Sequence, residues 1–251
     1  MPSAKDNVAR RATPFFRPIA GAPVALSGSL LPVTLKSAIK GAILPRGCAP
    51  RTVPFGIARG LRMQIDFAHQ TRIYLGLYEI ELDRFLRRML CPGLAAFDVG
   101  AQHGYDSLAI AKRTQAPVAA FECDGVCLAH MRESFALNPE VSALIHPVHA
   151  FVGPGDDQVE LDAWAYGEDG FVPDFIKLDI EGGEVDALRS ATRILTERHP
   201  ALIVEVHSLA LEREAGEILI GHGYRPVVVS QRRILRDLRP TAHNRWLVAA
   251  S

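Results

Sequence analysis

At 251 residues, with 48% hydrophobic and 22% charged side chains, the chain can bury one sizeable core and has the composition of a globular domain, not of a disordered or fibrous one. Lys plus Arg number 28 and Asp plus Glu number 28, so net charge gives no support for a polyanion-binding surface, and a nucleic-acid partner is not expected. Four cysteines at irregular spacing form no disulfide framework, no apolar run reaches the roughly 18 residues of a membrane span, and the start lacks a signal-peptide pattern, so a soluble cytoplasmic chain is expected.

Charge is unevenly spread along the chain. Residues 1–62 hold ten Lys and Arg against the single acid Asp6. Residues 1–52 read as a basic, Pro- and Ala-rich extension in which six prolines from Pro14 to Pro50 break any long element. Within it, Leu31, Leu35, Ile39 and Ile43 recur every fourth residue with Lys36 and Lys40 on another face, which predicts a short amphipathic helix. That helix either packs on the rest of the protein or gives peripheral contact with an anionic membrane surface.

A single domain is expected over 53–251. Ile57 to Phe67 read as short strands around Gly60, and Leu75, Tyr78, Leu82, Phe85, Leu86 and Met89 keep helical spacing until Pro92-Gly93. Strands and helices then alternate. Strands are predicted at 95–99, 118–122, 146–152, 175–180 and 201–206, and helices at 105–113, 126–137, 185–195 and 211–222. This rhythm implies βαβ units and an α/β, Rossmann-like, doubly wound and mostly parallel sheet. The runs 225–230 and 245–249 have no clear helix between them and suggest a closing antiparallel hairpin at the sheet edge.

Ligands in such sheets bind outside the carboxyl ends of the strands, which directs attention to strand tips. The first parallel strand runs into Asp98-Val99-Gly100-Ala101-Gln102-His103-Gly104, where the two glycines permit a tight turn and close approach of a ligand. A dinucleotide fingerprint would require glycine where Gln102 and Tyr105 stand. Asp98 would repel a phosphate but suits the ammonium of an amino-acid group, and Glu122, 24 residues on at the next strand end, suits ribose hydroxyls. Together they describe a nucleoside bearing an amino acid. The run Phe175-Ile176-Lys177-Leu178-Asp179-Ile180 places a lysine and an aspartate in a strand expected to be buried on both faces. Such groups must be paired or functional: Lys177 reads best as an internal ion pair, Asp179 as an active-site group.

The sequence from Phe97 to Ser107, Ala120-Phe121-Glu122, Lys177 to Glu184, and Glu205-Val206-His207 resembles the FkbM family of methyltransferases as an ordered series of motifs over roughly 53–230. Gly76-Leu77-Tyr78-Glu79 is similar to a segment that precedes the cofactor loop in that family. The resemblance implies a class I methyltransferase fold, S-adenosylmethionine as donor, and O-methylation of a small-molecule acceptor: a sugar, a lipid-linked glycan or a polyketide-like metabolite. It places Asp98, Gly100, Ala101 and Gly104 around the methionine portion, and Glu122 with Cys123 at the ribose. The chain departs from the family pattern at Gln102, usually asparagine, and at Cys123, often proline.

An acceptor hydroxyl must lose its proton during attack. Asp179, Glu181, Glu205 and His207 sit at the ends of neighbouring strands, and His207 is the first choice of base because imidazole titrates nearest neutrality. A divalent cation held by the same four groups is a second, less favoured scheme. Glu184 reads as a helix cap or an anchor for Lys177. Cys123, Cys127 and His130 share a helical spacing but lack a fourth zinc ligand. A catalytically silent binding protein of the same fold is the main alternative, and a nicotinamide-dependent oxidoreductase a weaker one.

Overall fold

The computed structural model describes residues 47–232 and 245–250, so the amphipathic helix expected over 31–43 lies outside the described residues. Within that range, no helix is long and apolar enough to cross a membrane. β1 (Cys48–Thr52) pairs antiparallel with β2 (Arg62–Asp66), Pro50 opposite Gln64. The strand expected before Gly60 therefore lies further upstream, and β1 ends at the anticipated boundary between extension and domain.

A seven-stranded sheet follows, in the order β10-β11-β9-β8-β3-β4-β5. Its strands are β3 (Ala96–Val99), β4 (Val118–Glu122), β5 (Ile145–His149), β8 (Phe175–Leu178), β9 (Ala201–Val206), β10 (Val227–Ser230) and β11 (Arg245–Ala249). Of these, β5, β4, β3, β8 and β9 run parallel, while β11 is antiparallel to both β9 and β10. The closing antiparallel pair is present, but its last strand inserts between β10 and β9 and does not cap the edge. The small parallel pair β6 (Phe151–Val152) and β7 (Gln158–Val159) divides the strand expected over 146–152 in two.

Strand side chains alternate between faces, and each face has its own core. Ala96, Ala120, Phe175 and Ile203 pack on one side with α3 (Tyr105–Thr114), α4 (Gly125–Ala136) and the β1–β2 pair. Two shorter helices, α1 (Thr71–Tyr74) and α2 (Asp83–Met89), join that layer, and a single turn, α5 (Pro139–Ser142), follows α4. On the opposite side Phe97, Val99, Phe121, Ile176, Leu178, Leu202 and Val204 meet α6 (Leu161–Ala165), α7 (Glu184–Arg189) and α8 (Leu209–Gly221). The expected doubly wound α/β architecture is observed. By the same alternation Asp98, Lys177 and Glu205 fall on the α3 side of the sheet, and the pairing sets Asp98 directly opposite Lys177.

Two predicted helices are interrupted. The one expected over 75–89 forms only in its second half, as α2, with the separate turn α1 ahead of it; the backbone of Gly76 lies against Phe55 and Gly56, where a Cβ would meet Gly56 N at 2.6 Å. Between α1 and α2 Glu79 takes a left-handed turn at φ 43°. The helix expected over 185–195 ends at Arg189, and a short π-helical turn forms at Ile194–Arg198. Its opening is fixed by the Asp162 carboxylate, which accepts from the N–H groups of Arg193 (2.7 Å) and Ile194 (2.9 Å). Asp162 lies in α6, an element with too few residues to show a helical period.

Phe97, fully buried, packs edge-on against Phe121 (5.3 Å between centroids), Trp164 (5.2 Å) and Phe171 (5.6 Å). Phe97→Ala should therefore cost about 3–5 kcal/mol of stability through lost burial and the cavity left behind. Urea unfolding with Trp164 fluorescence measures it; a change below about 1 kcal/mol would mean this cluster does not hold the second core together.

Candidate active site

The loop after β3 turns at Gly100, whose φ of 88° and proximity to β8 exclude any side chain: a Cβ there would stand 1.9 Å from the Asp179 carbonyl oxygen. The N–H groups of Gly100 and Ala101 both donate to the Phe121 carbonyl (3.0 and 2.9 Å), tying the loop to β4. Gly104, at φ 77°, packs on Phe135 and Met131 and opens α3. Glu122 is buried and accepts from the N–H groups of Gln102 and Asp124, both at 2.7 Å, one on each carboxylate oxygen. Both oxygens retain lone-pair capacity. Cys123, beside it, is exposed.

Asp98 is 1% exposed. The Ser107 hydroxyl donates to its Oδ2, while Oδ1 is buried without a partner among the described residues. Burial, then the charge of Asp106, lift its carboxyl to about 7 against the opposing pull of Lys177 and the Ser107 bond. A buried acceptor with no donor is costly, and a cationic ligand would relieve it.

Lys177, 2% exposed, reaches Asp106 (3.0 Å), Glu79 (3.3 Å) and Asp179 Oδ2 (3.4 Å). Burial alone would strip its proton, but Asp106, Glu79 and Asp179 outweigh burial and hold the ammonium well above its ordinary range. Three carboxyls share this single charge. Glu79 is the one pushed strongly upward, by burial and by crowding from Asp106 and Asp179, despite Lys177. The expected internal ion pair of Lys177 is observed, but with partners the motif did not name: Glu79 from the turn between α1 and α2, and Asp106 from the first turn of α3.

Glu184 is not an anchor for Lys177. It is fully buried, and its Oε1 is hydrogen-bonded to His207 Nδ1. His207 Nε2 lies 3.8 Å from Asp179 Oδ1 and 3.8 Å from Glu205 Oε1. Burial opposes a charge on the imidazole, yet the Glu184 bond and the charges of Glu184, Asp179 and Glu181 raise its pKa above the ordinary value. The structure thus brings Asp179, Glu205 and His207 together. Glu181 stands apart, exposed in the turn after β8 and contributing only a nearby charge. His103 and His130 stack at 5.7 Å near Cys127, but no metal-capable grouping forms there among the described residues.

A small cavity lies between the Gly100 loop and Asp179. It is lined by Ile73, Tyr78 and Tyr105 with the loop Gly100 to His103, and by Asp106 and Asp179. A wider surface cleft near Arg59, Arg87, Lys112 and Arg113 contains no nucleophile or base.

Residues 155–236 match the family model described as the methyltransferase FkbM domain. Among solved structures, M. jannaschii TYW2 in complex with AdoMet aligns at TM-score 0.51 and 14% identity, covering 82% of this chain and 86% of that one. The methyltransferase FkbM of Methylobacillus flagellatus KT aligns at TM-score 0.50 and 18% identity over 71% of this chain; the chain spans 53% of its length. No curated protein matches the sequence. The fold is that of the class I S-adenosylmethionine-dependent methyltransferases. Within it the resemblance to the FkbM methyltransferases is borne out, in the segment that contains Lys177 to Glu184 and Glu205 to His207.

Replacing Lys177 by Met should cost about 3–5 kcal/mol near neutral pH, because Glu79, Asp106 and Asp179 lose the buried ammonium they share. Carboxyls raised in the folded state contribute stability that is full below their unfolded pKa and lost as pH rises through the folded one, so the deficit should shrink on acidification. Denaturation of both proteins at about pH 5 and about pH 8 tests this; a deficit that is equal at both would exclude the carboxyls as its cause.

Proposed function

We propose that the protein transfers a methyl group from S-adenosylmethionine to a hydroxyl oxygen of a small sugar-like or natural-product-like acceptor. The observation that carries this reading is the pairing of an orphaned, buried Asp98 Oδ1 with Glu122 across the Gly100 turn, directly beside the Asp179–Glu205–His207 cluster.

The residues fit the donor. Asp98 can accept from its ammonium, and both oxygens of Glu122 keep room for ribose hydroxyls. Gly100, by packing on the Asp179 carbonyl, holds the loop that borders the cavity where the methionine portion would lie. A dinucleotide fits poorly, since Gln102 occupies a left-handed turn position, φ 45°, where the phosphate loop needs glycine. Bound there, S-adenosylmethionine would supply an electrophilic methyl on a good leaving group. The protein's own work is alignment: Asp179 lines the cavity beside Tyr78 and Tyr105, so an acceptor hydroxyl held there lies at the cluster that receives its proton. The FkbM domain match covers the β8 and β9 tips, which carry Asp179, Glu205 and His207, and supports the methyltransferase reading.

Calorimetry should show S-adenosylmethionine binding and no nicotinamide dinucleotide binding, with Glu122→Ala weakening the donor by about 1–3 kcal/mol. Because the donor's ammonium requires ionised Asp98, whose pKa is about 7, affinity should fall as pH drops below that value, and binding there should release a proton. Donor affinity that is flat across this range would remove Asp98 from the ammonium site.

His207→Ala and Asp179→Asn should lower turnover by about 10²- to 10⁴-fold while changing donor affinity little, since both act at the acceptor. Isotopically methyl-labelled donor incubated with pooled sugars and natural products, read by mass spectrometry, identifies the product; full turnover in His207→Ala would exclude the imidazole from the chemistry.

A further inference from the structure

The acceptor cluster has a geometry that proton transfer alone does not explain. His207 Nε2 faces two carboxylate oxygens, Asp179 Oδ1 and Glu205 Oε1, each at 3.8 Å. An imidazolium N–H would draw a carboxylate to about 2.7–2.9 Å, and 3.8 Å lies beyond hydrogen-bonding reach. Two donors bound to one cation at about 2.1 Å each lie between about 3.0 Å apart, at right angles, and about 4.2 Å, on opposite sides. Both separations from His207 fall inside that interval, and one ligand atom from each of the three residues lies within 4.8 Å of the other two.

The surroundings prepare these atoms for a cation. Glu184 engages Nδ1 of His207, which fixes the ring and turns the Nε2 lone pair toward the two carboxylates, the arrangement in which a carboxylate orients a metal-bound histidine from behind. Lys177 engages Oδ2 of Asp179 and leaves Oδ1 on the His207 side. Charge points the same way. Glu79, Asp98, Asp106, Asp179, Glu184 and Glu205 are all buried or nearly so, and among the described residues Lys177 and, when protonated, His207 form ion pairs with five of them. A buried surplus of carboxylates calls for protonation or a bound cation.

We infer that Asp179, Glu205 and His207 bind one divalent cation of the Mn²⁺ and Mg²⁺ class, next to the cavity that Asp179 lines. Two carboxylates select a hard ion, and the single imidazole favours Mn²⁺ over Ca²⁺. Glu184 is then a positioning residue. The binding itself is independent of the methyltransferase reading; the ion's use rests on it. An acceptor hydroxyl on the ion would lose its proton to water more readily, the oxygen keeping the electron pair that forms the new bond to carbon while the carbon–sulfur pair departs with sulfur. His207 would serve as a ligand in place of a free base.

The test is titration of Mn²⁺ into the full-length protein without donor or acceptor, followed by calorimetry and electron paramagnetic resonance, with S-adenosylmethionine titrated in parallel. One ion per chain is expected, with modulation from a single imidazole nitrogen, displacement by Mg²⁺, and affinity reduced at least tenfold in Glu205→Gln and by about 10- to 100-fold in Glu184→Gln. Circular dichroism establishes that each variant is folded; the nitrogen signal of the unaltered protein decides the matter should a variant not fold. Absence of binding at millimolar Mn²⁺, a bound ion without nitrogen coupling, or equal affinity in folded Glu205→Gln overturns the inference. Protein that binds the donor but no Mn²⁺ refutes the cation site alone, whereas protein that binds Mn²⁺ but no S-adenosylmethionine refutes the proposed function alone.

Discussion

A lysine ammonium in the middle of a parallel sheet, 2% exposed, is the constraint around which this domain is arranged. Removing such a group from water costs several kcal/mol unless anions surround it. The anions come from three separate places: Glu79 from the turn between α1 and α2, Asp106 from the start of α3, and Asp179 from the tip of its own strand. Satisfying Lys177 therefore fixes the segment before the sheet, the helix after the Gly100 loop, and the exit of β8 relative to one another. The left-handed turn at Glu79 is the local conformation that delivers its carboxylate.

The second constraint is steric. Gly100 packs so closely on the Asp179 carbonyl that the loop after β3 and the tip of β8 behave as a unit. Asp179 lines the small cavity together with the Gly100 loop. The loop that follows Asp98 and the strand tip that carries Asp179 are thereby held at a separation set by backbone and not by flexible side chains. The proposed group transfer between two bound molecules would require such preorganisation.

Electrostatics distinguishes Asp98 from the His207 cluster. At Asp98 a carboxyl raised to about 7 has an orphan oxygen, and a cationic ligand would favour its ionised form. At His207 an imidazole is enclosed by Glu184, Asp179 and Glu205, so negative charge accumulates around it. Both draw on the same reservoir of buried carboxyls, so a change at Lys177 propagates to each.

Much of this was legible along the chain. The strand and helix alternation from 95 to 222, the turn glycines at 100 and 104, the acids near the ends of β3 and β4, and the improbable Lys177 and Asp179 within an apolar run are all local patterns, because the continuous apolar runs of doubly covered strands and glycine's φ freedom act over a few residues. The sequence by itself thus determined the α/β class, the glycine turn after β3 and the charged residues at the strand tips. Three matters were decided only by tertiary structure. Glu79 and Asp106 gained their roles because Lys177 needed anions from distant segments, and helical periodicity hid the break between α1 and α2, where Gly76 packs on Gly56. Glu184 turned to His207 and left Lys177 to others, since side chains 23 positions apart meet only when β8, α7 and β9 are assembled. The last strand entered between β10 and β9, a choice made by long-range pairing against Val206 to Leu202, to which no local propensity speaks.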